Sequence, residues 1–420
     1  MMAAQQQSGG HGERATPEAK TPVMGIALWD SALDATAGWA CRSDGEPFRI
    51  SGTQDLSNEV IWVGNMDGMV YLKRGKQLAH LRSSDFLRCS LTAVAGDLGL
   101  RIDGANAQSS IKAIAQVTQR VITLMVKAYA LKTPDSDIRD DALYDDIRRI
   151  LPQQPGTTSH TKAALNAAFQ NYSQPDWGPW YQDKSVTVSL RYPRLTYAKQ
   201  IMATLVPDDS WTYIPPSGVA SMSIEELLDP RYPTLVEAAV DLGGADPEIA
   251  ILAAFGSASS RSKRTSLRRW ISQPELRWLA RFANVQVASA LRCKSAMPIP
   301  LSMSMPLALT SDPLLEVSLS AGLLAECHWH AIAKPEYQRR ERARQPNSWA
   351  VWLAAEDRAR CFDLALAVHK KGFRPVGYGA GCVRVSVPID ELPTLRQAAE
   401  DLGCSHPCFA PDMQRHGIEV

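Results

Sequence analysis

Hydrophobic spacing along this chain changes period several times, and that change is the strongest constraint on its fold. Val186, Val188 and Leu190 alternate with Ser185, Thr187 and Ser189, a period of two that puts the apolar side chains on one face of a strand. Ile111, Ile114, Ala115, Val121, Ile122 and Met125 recur instead at helical spacing and line one side of a helix. A chain that carries both patterns in turn is expected to be α/β and multi-domain. At roughly 100–200 residues per folding unit, 420 residues predict about two to four units.

Composition removes several function classes. With 45 Lys+Arg against 44 Asp+Glu and a formal charge of +1, the chain is neither a polybasic nucleic-acid coat nor an acidic tail protein, although local patches can differ from the average. Eight cysteines in a chain this long, and no apolar run in the first twenty residues, predict free thiols and a cytoplasmic protein. The longest uncharged stretch, Ser295 to Ser311, is interrupted by Pro298, Pro300 and Pro306 and cannot cross a bilayer as a helix. No membrane partner is expected.

Residues 1–22, with Gln5-Gln6-Gln7 and Gly9-Gly10, read as a flexible tail. Residues 23–152 read as an α/β domain. Its expected parts are paired strands at 23–29 and 37–41, a hairpin joining Val60-Ile61-Trp62-Val63 to Met69-Val70-Tyr71-Leu72 through Asp67-Gly68, a helix following Ser109-Ser110, and a second helix from Asp137 to Leu151. After a loop at 152–156, residues 157–338 read as a mostly helical middle domain, since much of Ile224 to Cys293 has helical spacing. Helix Leu314 to Ala333 closes that domain, and the charged connector Arg339 to Arg344 follows it. Residues 345–420 read as a small α/β module: strand Trp349 to Leu353, helix Asp357 to Lys371, a strand pair across Pro375 to Val387, and helix Ile389 to Leu402. Its β-α-β-β-α order is that of a ferredoxin-like half, a shape that hosts many functions.

The first strand delivers Asp30 at its end, and a short turn leads through Thr36-Ala37 into Gly38-Trp39-Ala40. This segment, residues 23–50, resembles the opening hairpin of the ribonuclease-H-like superfamily, the Holliday-junction resolvases in particular. The resemblance implies a ribonuclease-H-like domain in which Asp30 binds Mg²⁺ and acidic residues of the last helix, Asp137, Asp140 and Asp141, complete the site. Two Mg²⁺ ions on a scissile phosphate need carboxylates converging from different elements; Glu59 and Asp67 are further candidates. The other reading of the aspartates from Asp135 to Asp146 is an acidic helix start facing water. Actin-like ATPases open on a similar hairpin, but no later Asp-x-Gly-Gly-Thr phosphate loop follows in this chain.

A basic cluster lies further on: Arg261, Lys263, Arg264, Arg268, Arg269, Arg277 and Arg281, interleaved with Trp270 and Trp278. Such residues can meet phosphates and stack on bases, or form solvated faces with the tryptophans turned into the core. Cys404, His406 and Cys408 fall within five residues, and Cys327, His328 and His330 within four. Neither group has the paired spacing of a structural zinc site, so no metal is expected there and buried thiols are the default. Gly377, Gly379 and Gly381 sit between strands and predict a bent hairpin in place of a phosphate cradle. Phosphate-loop, nucleophile-elbow and zinc-protease motifs are absent from the sequence.

Together these features predict a non-catalytic nucleic-acid-associated protein working in an assembly with protein partners, without a cofactor. The alternative is a Mg²⁺-dependent nuclease or resolvase, and a third reading is a purely structural component of a larger assembly.

Overall fold

A computed structural model describes residues 23–74, 78, 80–83, 91–102, 106–129, 158–170, 185–242, 266–299, 314–333, 336–338, 343–345 and 347–409. They form a mixture of helices and sheets, as the changing period requires. The expected helix Asp137 to Leu151 lies outside the described residues.

The chain begins with β1 (Met24–Trp29), β2 (Gly38–Arg42), β3 (Phe48–Ile50), β4 (Ile61–Gly64), helix α1 (Gly68–Arg74) and β5 (Leu81–Ser83). These strands form one sheet in the order β3-β2-β1-β4-β5. The first three are antiparallel, whereas β4 runs parallel to both β1 and β5. Gly38 lets β2 start against β1, because a Cβ there would lie 2.2 Å from the Leu28 carbonyl oxygen. All six residues of β1 are buried, since side chains cover both faces. Met24, Ile26 and Leu28 meet Ile111, Ile114, Val117 and Val121 of helix α3 (Asn106–Tyr129), which follows α2 (Leu91–Asp97). Ala27 and Trp29 pack with Ala40 and Trp62 on the other side. The expected hairpin strand Met69 to Leu72 is instead part of α1. Parallel strands cannot be joined by a tight turn and need a crossover, and the Asp67 carboxylate accepts the Met69 amide proton at 2.9 Å as the helix begins.

Next come α4 (Ser159–Gln170), β6 (Ser185–Arg191), α5 (Arg194–Met202), β7 (Leu205–Pro207), β8 (Trp211–Ile214), β9 (Thr234–Asp241), β10 (Ser266–Ser272), α6 (Gln273–Leu279), β11 (Asn284–Cys293) and β12 (Ala296–Pro298). The expectation of a mostly helical middle domain is corrected here. Strands β10-β9-β11-β8 form an antiparallel sheet, and β7 pairs with β12. Strand β9 lies between two neighbours with Thr234, Leu235 and Val236 buried in succession, so the alternation that marks a half-exposed strand is blurred.

Helix α7 (Leu315–Ala333), the ribbon β13 (Glu336–Gln338) and β14 (Ala343–Gln345), helix α8 (Ser348–Lys370), β15 (Arg374–Gly379), β16 (Cys382–Pro388), α9 (Leu392–Asp401) and β17 (Ser405–Phe409) follow among the described residues. The expected strand Trp349 to Leu353 is the first turn and a half of α8. Asn347 caps it, its Oδ1 accepting the Ala350 amide proton at 2.7 Å. All five residues are buried, which erases the helical period. The separate 345–420 module is also corrected. Its sheet has the order β15-β16-β6-β17, all antiparallel, so β6 from far upstream supplies an inner strand. Val186, Val188 and Leu190 of β6 and Val383, Val385 and Val387 of β16 share one core with α8 and α9.

Helix α7 joins the two halves. Leu319, Leu323 and Leu324 belong to the core of α3 and β1, whereas Trp329 and Ile332 belong to the core of the later sheets. His328 on this helix is 0% exposed, and burial pulls its imidazole down to about 4. The unfolded chain therefore takes up this proton first as pH falls. Stability contributed by neutral His328 should be complete above pH 6.5 and fade toward pH 4, by about 3 kcal/mol at the limit. Denaturant melts of His328→Leu against wild type between pH 7 and pH 4.5 should show the variant losing less stability on acidification.

Candidate nucleic-acid interface

The inner strands β6 and β16 of the sheet β15-β16-β6-β17 each have one apolar and one polar side. Period-two alternation places Ser185, Thr187, Ser189 and Arg191 of β6 on the polar side, all half-buried. Cys382, Arg384, Ser386 and Pro388 of β16 match them in register, with Ser189 opposite Arg384 and Thr187 opposite Ser386. Arg384 extends across Gly377 of β15, where a Cβ would come within 2.7 Å of its terminal nitrogen. A side chain at 377 would have to push that flexible guanidinium aside. None of the four strands contains Asp or Glu, while they carry Arg191, Arg374 and Arg384. In a chain with a net charge of +1, these strands carry only positive charge among their serine and threonine hydroxyl groups.

Between β15 and β16 the tight turn places Ala380 at φ 53° and Gly381 at φ 71°. Their amides point to the buried carboxylate of Asp357 on α8, donating at 2.6 and 2.8 Å. The Tyr197 hydroxyl donates to the same carboxylate. The bent hairpin expected from Gly377 to Gly381 is therefore held from beneath by one side chain. Burial raises the Tyr197 hydroxyl and the Cys361 thiol beside it, and the Asp357 charge raises both further. They stay protonated and can serve as donors.

At the end of β6 a group of charges connects three elements. Arg191 donates to Glu326 of α7 at 2.7 Å. Arg194, at the start of α5, donates to Glu326 and also to Asp97 of α2, the latter at 2.8 Å. His330 Nε2 lies 3.7 Å from Glu326. Tyr192, Tyr197 and Trp329 pack around the group, with the two tyrosine rings stacked at 4.9 Å.

The residues singled out in the sequence fall elsewhere. Asp30 lies at the end of β1, where the Arg49 guanidinium grips both carboxylate oxygens and sits over the Trp39 ring at 5.6 Å. Asn65 ends β4, bridging the Trp29 amide and carbonyl at 2.7 and 3.1 Å. Asp67 comes to the same end of the sheet, its amide bonded to the Ala32 carbonyl, whereas Glu59 precedes β4 and lies at the opposite end. Asp137, Asp140 and Asp141 lie outside the described residues, as do Arg261, Lys263 and Arg264. Arg268 and Arg269 are on β10. Arg277 reaches Glu356 of α8 at 3.9 Å, and Arg281 forms a two-pronged pair with Asp363 of α8 at 2.8 and 3.0 Å. Trp278 is buried and Trp270 half-buried. Cys404 precedes β17, which carries His406 and Cys408; burial pushes the Cys404 thiol up to about 11. Among the described residues, no three His, Cys, Asp or Glu side chains gather as a metal site requires.

The polar sheet face, Asp357 and Glu326 were all missed from sequence. A signal for the face was present: β6 and β16 read Ser-x-Thr-x-Ser-x-Arg and Cys-x-Arg-x-Ser, with no acidic residue in either.

No family model matches this chain. No curated protein matches it either. Among solved structures, it is similar to Phi29 DNA polymerase complexed with primer-template DNA in the post-translocation binary complex, with a TM-score of 0.45 at 11% identity over 88% of this chain and 82% of that one. The orthorhombic crystal form of Phi29 DNA polymerase gives 0.43 at 10% over 89% and 82%. Its complex with single-stranded DNA gives 0.44 at 10% over 87% and 80%. No described helix is long and apolar enough to cross a membrane.

Replacing the hairpin's buried acceptor provides a direct check on the site's architecture. Asp357→Asn keeps the volume but sets an amide group against the Ala380 and Gly381 amides. It should cost roughly 3 kcal/mol, read from urea melts, with faster hydrogen exchange at residues 379–382.

Proposed function

We propose that this protein is a non-catalytic nucleic-acid-associated protein that holds the sugar-phosphate backbone on the polar face of the β15-β16-β6-β17 sheet. The observation that carries the reading is the polar row itself, with Arg191 and Arg384 among the hydroxyls of Ser185, Thr187, Ser189 and Ser386 on strands that contain no Asp or Glu. Guanidinium and hydroxyl groups are common donors to phosphate oxygens. Tyr378, the aromatic of β15, is buried on the other side, so the described face offers no ring for base stacking and favours sequence-independent contacts. The strand order fits a ferredoxin-like sheet whose first strand, β6, is separated from the rest by a long insertion.

A second reading has its own support. The order β3-β2-β1-β4-β5, with three antiparallel strands followed by two parallel ones, fits the ribonuclease-H-like domain that the opening hairpin resembles, and Asp30 and Asp67 lie at one end of that sheet. A nuclease acting there would need Mg²⁺ on carboxylates. Arg49 engages both oxygens of Asp30 and competes with such an ion, which favours the non-catalytic reading.

Fluorescence anisotropy with labelled duplex DNA, single-stranded DNA and RNA between 50 and 200 mM salt, with and without Mg²⁺, tests both. Binding should weaken steeply with salt, and Arg384→Ala should weaken it for every sequence and lower the salt slope by about one. No cleavage is expected, and Asp30→Asn should leave binding unchanged. Absence of binding at 50 mM salt, or an Arg384→Ala protein indistinguishable from wild type, overturns the proposal. Metal-dependent cleavage lost in Asp30→Asn replaces it with the nuclease.

A further inference from the structure

Resting on that reading of the sheet face, we infer that Glu326 is a built-in competitor for phosphate: it holds Arg191 in the free protein and is displaced when a nucleic-acid backbone arrives. Arg191 ends the polar row of β6, with its side chain 18% exposed, while Glu326 is 6% exposed. The carboxylate is thus the more deeply buried partner, and the arginine side chain keeps part of its surface in solvent. A carboxylate and a phosphate use the same donors of an arginine, so they compete for one site.

The surrounding charges make the exchange feasible. A buried ion that loses its sole partner is costly, but Glu326 is bridged by two arginines. When Arg191 turns to a phosphate, Glu326 keeps Arg194, with His330 Nε2 3.7 Å away. Arg194 in turn keeps Asp97. No member of the group is left alone. The same bond ties the sheet to α7 and, through Arg194, to α2, so the arginine that meets the ligand belongs to the network joining the two halves of the chain.

The competition is read by comparing wild type with Glu326→Gln on a labelled duplex at one intermediate salt concentration. The variant should bind about three- to tenfold more tightly. Arg191→Ala should bind more weakly than wild type, and Glu326→Gln should add no gain in the Arg191→Ala background. Glu46→Gln removes a carboxylate of equal charge that pairs with Lys112 and controls for the change in net charge. Should Glu326→Gln melt at working temperature, Glu326→Asp, which withdraws the carboxylate by one methylene, provides the same comparison. Duplex binding by wild type with no gain beyond that of Glu46→Gln, or a gain that survives Arg191→Ala, overturns the competitor while leaving the sheet-face reading intact. Failure of all these proteins to bind any nucleic acid at 50 mM salt defeats the sheet-face reading, and the competitor with it.

Discussion

Helix α7 has one end in each of two hydrophobic cores, and the rest of the structure depends on that shared burial. Its Leu319, Leu323 and Leu324 complete the core beneath β1, and Trp329 and Ile332 complete the core of the later sheets. Burying a leucine side chain contributes about 1.5–3 kcal/mol, so three leucines at one end and a tryptophan and an isoleucine at the other fix the two halves against each other. Glu326 sits between these apolar ends and gathers Arg191 and Arg194. The apolar contacts set where the helix lies, and the charges set which way β6 and α5 present their arginines.

The polar sheet face follows from this arrangement. Its apolar side packs in one core with α8 and α9, so Ser185, Thr187, Ser189, Arg191 and Arg384 fall on the opposite side. Asp357 holds the turn at one end of that sheet with two backbone amides and a tyrosine hydroxyl. It is directed into the protein, which leaves the outer face to the cationic groups.

Much of the local structure was legible in the sequence, because local structure follows local pattern. The alternation at Ser185 to Leu190, the apolar run at Leu314 to Ala333, the paired runs before and after Asp30 and the Gly377–Gly381 bend all became the expected elements. Errors arose where burial on every side removes the pattern, as at Trp349 to Leu353, or where a neighbour outside the window decides, as at Met69 to Leu72. The site was harder to read for a different reason. Its two central strands are far apart in sequence, and Glu326 and Asp357 come from helices whose periodicity says nothing about which charge faces inward. Asp30 was conspicuous because it ends an apolar strand, yet Arg49 on β3 claims it, a pairing that no short window reveals.

The pairing of β6 with β16 also has a consequence for biosynthesis. Emerging from the ribosome, β6 must wait for about 190 further residues before its first neighbour appears. Until then both of its hydrogen-bonding edges are open. A strand with one apolar side in that state is a template for unwanted pairing with other chains, and long-range pairing of this kind is slow. The yield of native protein should therefore depend on how the nascent segment is shielded during those seconds, a vulnerability that the finished molecule no longer displays.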